Sequence, residues 1–173
     1  MPQASNVNNI VIHCSAGFGN REAIERFWYD VLKWRSPGYH RLIEVDGTIH
    51  KIADFSAITN GVRGYNDSTI HICYVGGVEP EDVKKARDTR NGLQKYGIEK
   101  CITEAVHWLK SNGKDITADL GIVGHRDFSK DGNANGVIES WERIKECPSF
   151  DVIGTLQHYL YSSNDRYNKL PYN

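Results

Sequence analysis

Three residues far apart in the chain carry the clearest chemical potential. His13 and His125 each end a short apolar run, "NNIVIHC" and "LGIVGH", and Cys147 follows in "KECPSFD". A histidine in such a place is more often a satisfied core residue than a ligand when taken alone. Two neutral imidazoles and a thiolate together are the ligand types of zinc. A three-ligand set leaves a fourth coordination position for water, as catalytic zinc sites do. The separations form no local motif, so spacing alone does not establish the set.

A second candidate lies between the last two of these residues. Asp131, Asn133, Asn135, Val137, Glu139 and Glu142 fall at positions 1, 3, 5, 7, 9 and 12 of an EF-hand calcium loop. Gly136 occupies position 6 and Ile138 the apolar position 8. A polar surface turn is the plainer reading, because Asn-Gly pairs are common in turns. The terminal glutamate and the apolar eighth position are not turn requirements, and they favour calcium. The flanks "GHRDFSK" and "SWERIKE" leave little room for the paired helices of a full EF-hand. The expected role is structural, with an affinity on the order of 10⁻⁵ M or weaker for so few carboxylates.

The elements that position these residues can be read from periodicity. "NNIVIHCS" is a β-branched run and reads as a buried strand. Asn20 can cap a helix to about Trp34, with Ile24, Phe27, Trp28, Val31, Leu32 and Trp34 along one side. Tyr39–Val45 and Thr48–Ala53 flank the turn pair Asp46-Gly47 and form a hairpin. Thr69–Val75 is another strand, and Glu79–Arg90 is charged and aperiodic, hence a loop. Leu93–Lys110 carries an apolar helical stripe. Leu120–Val123 delivers His125. Asp151 can cap a last helix of about ten residues, with Val152, Ile153, Leu156, Tyr159 and Leu160 inward. The order predicts an α/β fold, a central mixed β-sheet flanked by helices, in a single domain covering 1–173 with the calcium-type loop at 131–142 inserted.

Composition narrows the function classes. The chain has 173 residues, 39% hydrophobic and 25% charged, with a formal net charge of −1. The near-neutral charge argues against nucleic acid as a partner, despite the six basic residues between Lys84 and Lys100. No apolar run of spanning length occurs, so no membrane anchor is expected. The polar start "MPQASNVNN" has no signal-peptide core, which places the chain in the cytoplasm of the producing cell. Cys14, Cys73, Cys101 and Cys147 form no CxxC pair and read as free thiols or metal ligands. There is no Gly-x-Ser-x-Gly for a serine hydrolase. His71 and Cys73, two apart on one strand face, read as packing.

The segments "IVIHCSAG", "GYHRLIEVDGTIHKI", "GYNDSTIHICYVGG", "GHRD" and "KECPSFD", in this order, resemble the type 2 N-acetylmuramoyl-L-alanine amidases. That family includes small phage lysozymes and is similar in fold to peptidoglycan-recognition proteins. The likeness runs from about Asn9 to Leu160. It implies a zinc enzyme that cuts the amide between muramic acid and L-alanine in bacterial peptidoglycan. It puts His13, His125 and Cys147 on the zinc-ligand positions, and Tyr39 and Lys145 on the catalytic ones. A lysine ammonium can stabilise a tetrahedral oxyanion, and a tyrosine hydroxyl can orient water or share that oxyanion. The loop "GVRGYND" is an expected cleft wall, with Arg63 and Asn66 as substrate contacts. The implied protein is a monomeric phage or prophage endolysin that reaches the cell wall after release. The rival reading is a non-catalytic peptidoglycan-binding recognition module, which loss of a zinc ligand would favour.

Overall fold

The computed structural model describes residues 3–117 and 119–161. The ends of the expected 1–173 domain lie outside the described residues. A five-stranded mixed sheet organises the chain in the order β3-β2-β4-β1-β5. The strands are β1 (Asn9–Cys14), β2 (Arg41–Ile43), β3 (Ile49–Lys51), β4 (Thr69–Tyr74) and β5 (Gly121–Gly124). The central strand β1 runs parallel to both β4 and β5, β2 runs parallel to β4, and β2 with β3 forms the antiparallel hairpin around Asp46-Gly47. The fold class is the expected one.

Strand alternation divides the sheet into two functional faces. Ile10 and Ile12 of β1, Ile70 and Ile72 of β4 and Ile43 of β2 share the main core with Ile98, Ile102, Ala105 and Leu109 of the long helix α2 (Gly92–Ser111). Each such side chain stabilises the fold by about 1.5–3 kcal/mol through burial. His13, His71, Cys73 and Leu42 occupy the alternate positions, on the opposite face. The register His13↔Cys73 and Leu42↔Cys73 holds them side by side.

α2 starts where the chain offers a capping box. Asn91 Oδ1 accepts from Gln94 N at 2.9 Å, and Gln94 Oε1 accepts from Asn91 N at 3.3 Å. Asp151 caps α3 (Val152–Leu156) as expected, accepting from Gly154 N. The chain then continues into α4 (His158–Tyr161).

Two expectations about helices need correction. The first helix is short: α1 (Arg21–Arg26) gives way to a single π-helical turn over Phe27–Val31. Only Trp28 on it is buried, while Phe27, Val31 and Leu32 are exposed, because no element among the described residues covers that side. Ile153 is likewise about half exposed; Val152, Leu156 and Leu160 are buried and Tyr159 packs against the core as expected. Glu79–Arg90 is an irregular segment as expected, pinned by a bridge between Val78 and Ala86.

One buried charge joins the hairpin to α2. The Arg41 side chain is 3% exposed. It grips Glu104 of α2 with two hydrogen bonds, of 2.9 and 2.6 Å, and donates to the carbonyls of His40 and Ala53 at 2.9 and 2.8 Å. Its guanidinium lies 4.0 Å from the Phe55 ring centroid. Arg41→Ala is expected to lower the unfolding free energy by about 3 kcal/mol in urea titrations, because it removes the donors that Arg41 gives to the Glu104 carboxylate and to the Ala53 carbonyl and empties a buried position. Glu104→Ala should cost less, since the guanidinium keeps both carbonyls. Equal losses would refute this account.

Candidate metal centre

His13 closes β1 on the sheet face away from α2 and is 1% exposed. His125 opens the 3-10 turn His125–Phe128 directly after β5. Cys147 arrives on the irregular arm before α3. The ligand-type atoms of these three residues lie within 4.8 Å of one another, and they are the one such group of His, Cys, Asp or Glu among the described residues. Cys147 Sγ is 3.8 Å from His13 Nδ1. Tetrahedral zinc bonds would put sulfur and nitrogen about 3.5 Å apart. That pair therefore fits a zinc ion with small adjustment, and the three donor types are those zinc takes.

The arm that carries Cys147 is held at several points. The Cys147 carbonyl accepts from Arg126 N at 2.8 Å, Tyr74 Oη donates to the Pro148 carbonyl at 2.7 Å, and Ser149 Oγ donates to the Gly77 carbonyl at 2.7 Å. The Cys147–Pro148 peptide is cis. Backbone N–H of Cys14 points at Cys147 Sγ, 3.3 Å away.

Electrostatics keep the imidazoles in the form a cation needs. Burial, then the neighbouring His71, His125, Lys145 and His40, hold His13 well below the usual histidine range. Burial and the Lys145 ammonium bring His125 down to about 4. Both rings are therefore neutral near pH 7 and offer lone pairs. The hydrogen bond with Cys14, then burial, push the Cys147 thiol up, while the same hydrogen bond lowers Cys14 to about 7. A cation at the three ligand atoms reverses that preference, because a coordinating thiol loses its proton.

Tyr39 and Lys145 flank the group. The Tyr39 ring lies 5.0 Å from that of His13 and 5.3 Å from that of Trp28, centroid to centroid. Burial above all, then the neighbouring Cys73, Cys147 and Cys14, raises its hydroxyl well above the usual tyrosine range, so it stays protonated. Lys145 is exposed, and its charge is felt by both imidazoles. Arg63 is exposed on its loop. Asn66 Oδ1 accepts from Val62 N at 2.8 Å, which commits its oxygen to the turn. The Tyr65 ring packs 4.8 Å from that of Phe128, joining this loop to the turn after His125.

His71 was read from sequence as packing. It is fully buried, and its Nδ1 stands 3.0 Å from His13 Nε2. Its place on the His13 face followed from alternation only once β1 and β4 were known to be neighbours.

The segment 131–142 closes on itself through its side chains. Asp131 accepts from Asn135 N at 3.3 Å and Gly136 N at 2.7 Å. Glu142 accepts from Gly132 N, Asn133 N and Glu139 N at 2.6, 3.2 and 3.0 Å. Asn133 and Asn135 donate side-chain hydrogens to Glu139 at 2.8 and 3.3 Å. Val137 is exposed. Short 3-10 turns, His125–Phe128 and Ser140–Glu142, take the place of flanking helices.

Comparison with known proteins agrees with the geometry. Residues 3–149 match the family model described as N-acetylmuramoyl-L-alanine amidase. An endolysin of Klebsiella phage KP32 is 34% identical over 150 residues, covering 84% of this chain and 82% of the relative. Among solved structures, PGRP-SA of Apis mellifera has a TM-score of 0.62 at 17% identity, covering 89% of this chain and 83% of the other. The Ph2119 endolysin of Thermus scotoductus MAT2119 bacteriophage Ph2119 has a TM-score of 0.53 at 22% identity, covering 83% and 77%. These two structures are similar in fold.

Gly124 is the last residue of β5, next to His125, and lies against the Cys147 arm. A Cβ there would come 2.7 Å from Pro148 Cδ, part of a ring that cannot swing aside. Gly124→Ala is expected to weaken Zn²⁺ or Co²⁺ binding roughly tenfold or more in chelator competition, by spreading His125 from Cys147. Binding equal to that of the unmodified chain would show that the arm yields freely.

Proposed function

The chain belongs to the N-acetylmuramoyl-L-alanine amidase family, and on that premise we propose that it hydrolyses the amide between N-acetylmuramic acid and L-alanine of bacterial peptidoglycan, with zinc held by His13, His125 and Cys147. The observation that carries this reading is the convergence of two neutral imidazoles and one thiol beside Tyr39 and Lys145. Zinc bound there supplies a Lewis acid and a nucleophile at neutral pH.

The chain's own residues divide the remaining work. The Lys145 ammonium, whose charge reaches both imidazoles, would lower the energy of the oxyanion that develops on the scissile carbonyl. The Tyr39 hydroxyl, kept protonated by its surroundings, donates a hydrogen bond to water or to the oxyanion. Arg63 and the free amide end of Asn66 offer contacts to sugar or peptide along the Gly61–Asp67 loop. Similarity to phage endolysins supports a cell-wall-lytic setting, reached from the cytoplasm of the producing cell by a monomeric single-domain enzyme. The intact ligand set favours catalysis over a recognition module that binds without cutting.

The test is metal removal. Chelated protein is expected to release no L-alanine amino groups from purified cell wall, with activity restored by Zn²⁺. Full activity in verified metal-free protein would overturn the zinc reading. Cell-wall binding without cleavage by the zinc-loaded chain would favour the recognition module. Lys145→Ala should lower kcat by about 10²–10³ with zinc content unchanged, as loss of an oxyanion donor does. Tyr39→Phe should also lower kcat, and a fully active variant would remove it from the chemistry.

For Asp131, Asn133, Asn135, Val137, Glu139 and Glu142 the reading is a structural calcium site, supported by the twelve-residue pattern in the sequence. Calcium would replace backbone hydrogen bonds as the closure of this loop and steady the arm leading to Lys145 and Cys147. Millimolar Ca²⁺ is expected to raise the melting temperature, with Asp131→Ala abolishing the rise. No rise in the unmodified chain would leave the loop as a turn closed by its own carboxylates.

A further inference from the structure

Behind the three ligand atoms runs a line of buried polar groups that the amidase reading leaves unused. His71 Nδ1 is 3.0 Å from His13 Nε2, His71 Nε2 is 2.9 Å from Thr69 Oγ1, and the Thr69 hydroxyl donates to the Tyr65 carbonyl at 2.7 Å. Counting hydrogens along this line gives a single solution. The hydroxyl has one hydrogen and gives it to the carbonyl, so Oγ1 can only accept from His71. The hydrogen of His71 is therefore on Nε2. An imidazole ring carries one hydrogen in its neutral form, so with that hydrogen on Nε2 of this fully buried ring, Nδ1 is a lone pair. His13 must then bring its hydrogen on Nε2. That leaves His13 Nδ1 as the open lone pair, and Nδ1 is the nitrogen facing Cys147 Sγ at 3.8 Å.

The ring of His71 is itself held in place. Its backbone N–H donates to His40 Nδ1 at 2.9 Å, while His40 Nε2 lies 3.1 Å from the Ala57 carbonyl. Position 61 must lack a side chain for the ring to fit, since a Cβ on Gly61 would sit 2.3 Å from His71 Nδ1. Nothing in this arrangement is needed to fill space with an imidazole; an apolar side chain of similar size would serve a core better.

We propose that His71 is a positioning residue for the metal centre: the line Tyr65 carbonyl, Thr69, His71 fixes the tautomer and ring orientation of His13 and presents Nδ1 to the cation. The inference rests on the reading that His13, His125 and Cys147 hold zinc. Partners of this kind on the far nitrogen of a ligating histidine orient the ring and raise its basicity, and their loss costs about 10–100-fold in metal affinity.

The experiment compares the unmodified chain with His71→Leu, His71→Asn and Thr69→Val. Metal affinity is read by chelator competition, site geometry by the visible spectrum of the Co²⁺ form, and tautomers by long-range ¹⁵N–¹H NMR of the imidazoles. The unmodified chain is expected to show His13 and His71 both protonated at Nε2. His71→Leu should lose about 10–100-fold in zinc affinity and shift the Co²⁺ bands. His71→Asn, whose Oδ1 falls near the position of the lost Nδ1, should recover most of that loss. Thr69→Val removes only the hydroxyl, and should weaken zinc binding and admit a second His71 tautomer; it decides the matter if His71→Leu does not fold. Unchanged affinity and spectrum in His71→Leu, or in Thr69→Val where that variant decides, overturns the inference alone, as does a His13 protonated at Nδ1. An unmodified chain that binds neither Zn²⁺ nor Co²⁺ overturns the zinc reading and the inference with it.

Discussion

Parallel pairing of β1 with both β4 and β5 is the constraint on which the rest of the structure depends. A central strand flanked on both edges and covered on both faces has no solvated position to offer. Its apolar residues Ile10 and Ile12 meet α2 on one side, and alternation drives His13 to the other. There a polar ring at 1% exposure must find partners or destabilise the fold. His71 from the neighbouring strand takes one nitrogen, and the second is left facing Cys147. The candidate metal centre thus begins as the solution to burying a histidine in a parallel sheet.

The three ligand-bearing segments differ in how they are held. His13 and His125 sit at or just past the ends of adjacent parallel strands, so the sheet's register fixes their spacing. Cys147 rides on an arm without regular structure. That arm is fastened by hydrogen bonds to its carbonyls from the Arg126 backbone N–H and the Tyr74 hydroxyl, and the Ser149 hydroxyl ties it to Gly77. The segment 131–142 leads into the arm and is closed by Asp131 and Glu142 through hydrogen bonds to its own backbone. Two rigid ligands and one tethered ligand allow the thiol to adjust to a cation. Burial keeps both imidazoles neutral, so only a Cys147 thiolate would offset the charge of a bound cation.

Much of this was legible in the sequence where a local rule applied. The β-branched run before His13, the Asp46-Gly47 hairpin and the apolar stripe of the long helix each appear as expected, because strand and helix periodicity reflect burial on a single element. The same rule misled at Phe27, Val31 and Leu32. Helical spacing predicts one face, but no element among the described residues covers it, and the backbone there is a π-helical turn. Ile153 failed for the same reason. Periodicity says which residues share a face, and nothing of what lies opposite.

What the sequence by itself determined is the family and the candidate ligand types: a histidine at the end of a strand, a Gly-His-Arg-Asp turn and a Lys-x-Cys-Pro arm, in that order. Tertiary structure alone decided which of seven histidines work together. His71 looked like a packing residue beside Cys73, and it became the partner of His13 only when β4 was placed against β1. The physical reason is that alternation along a strand is a property of the local backbone, whereas adjacency of strands is set by how the whole chain buries its apolar surface. A hydrogen bond between residues 13 and 71 is therefore invisible until the sheet order is known.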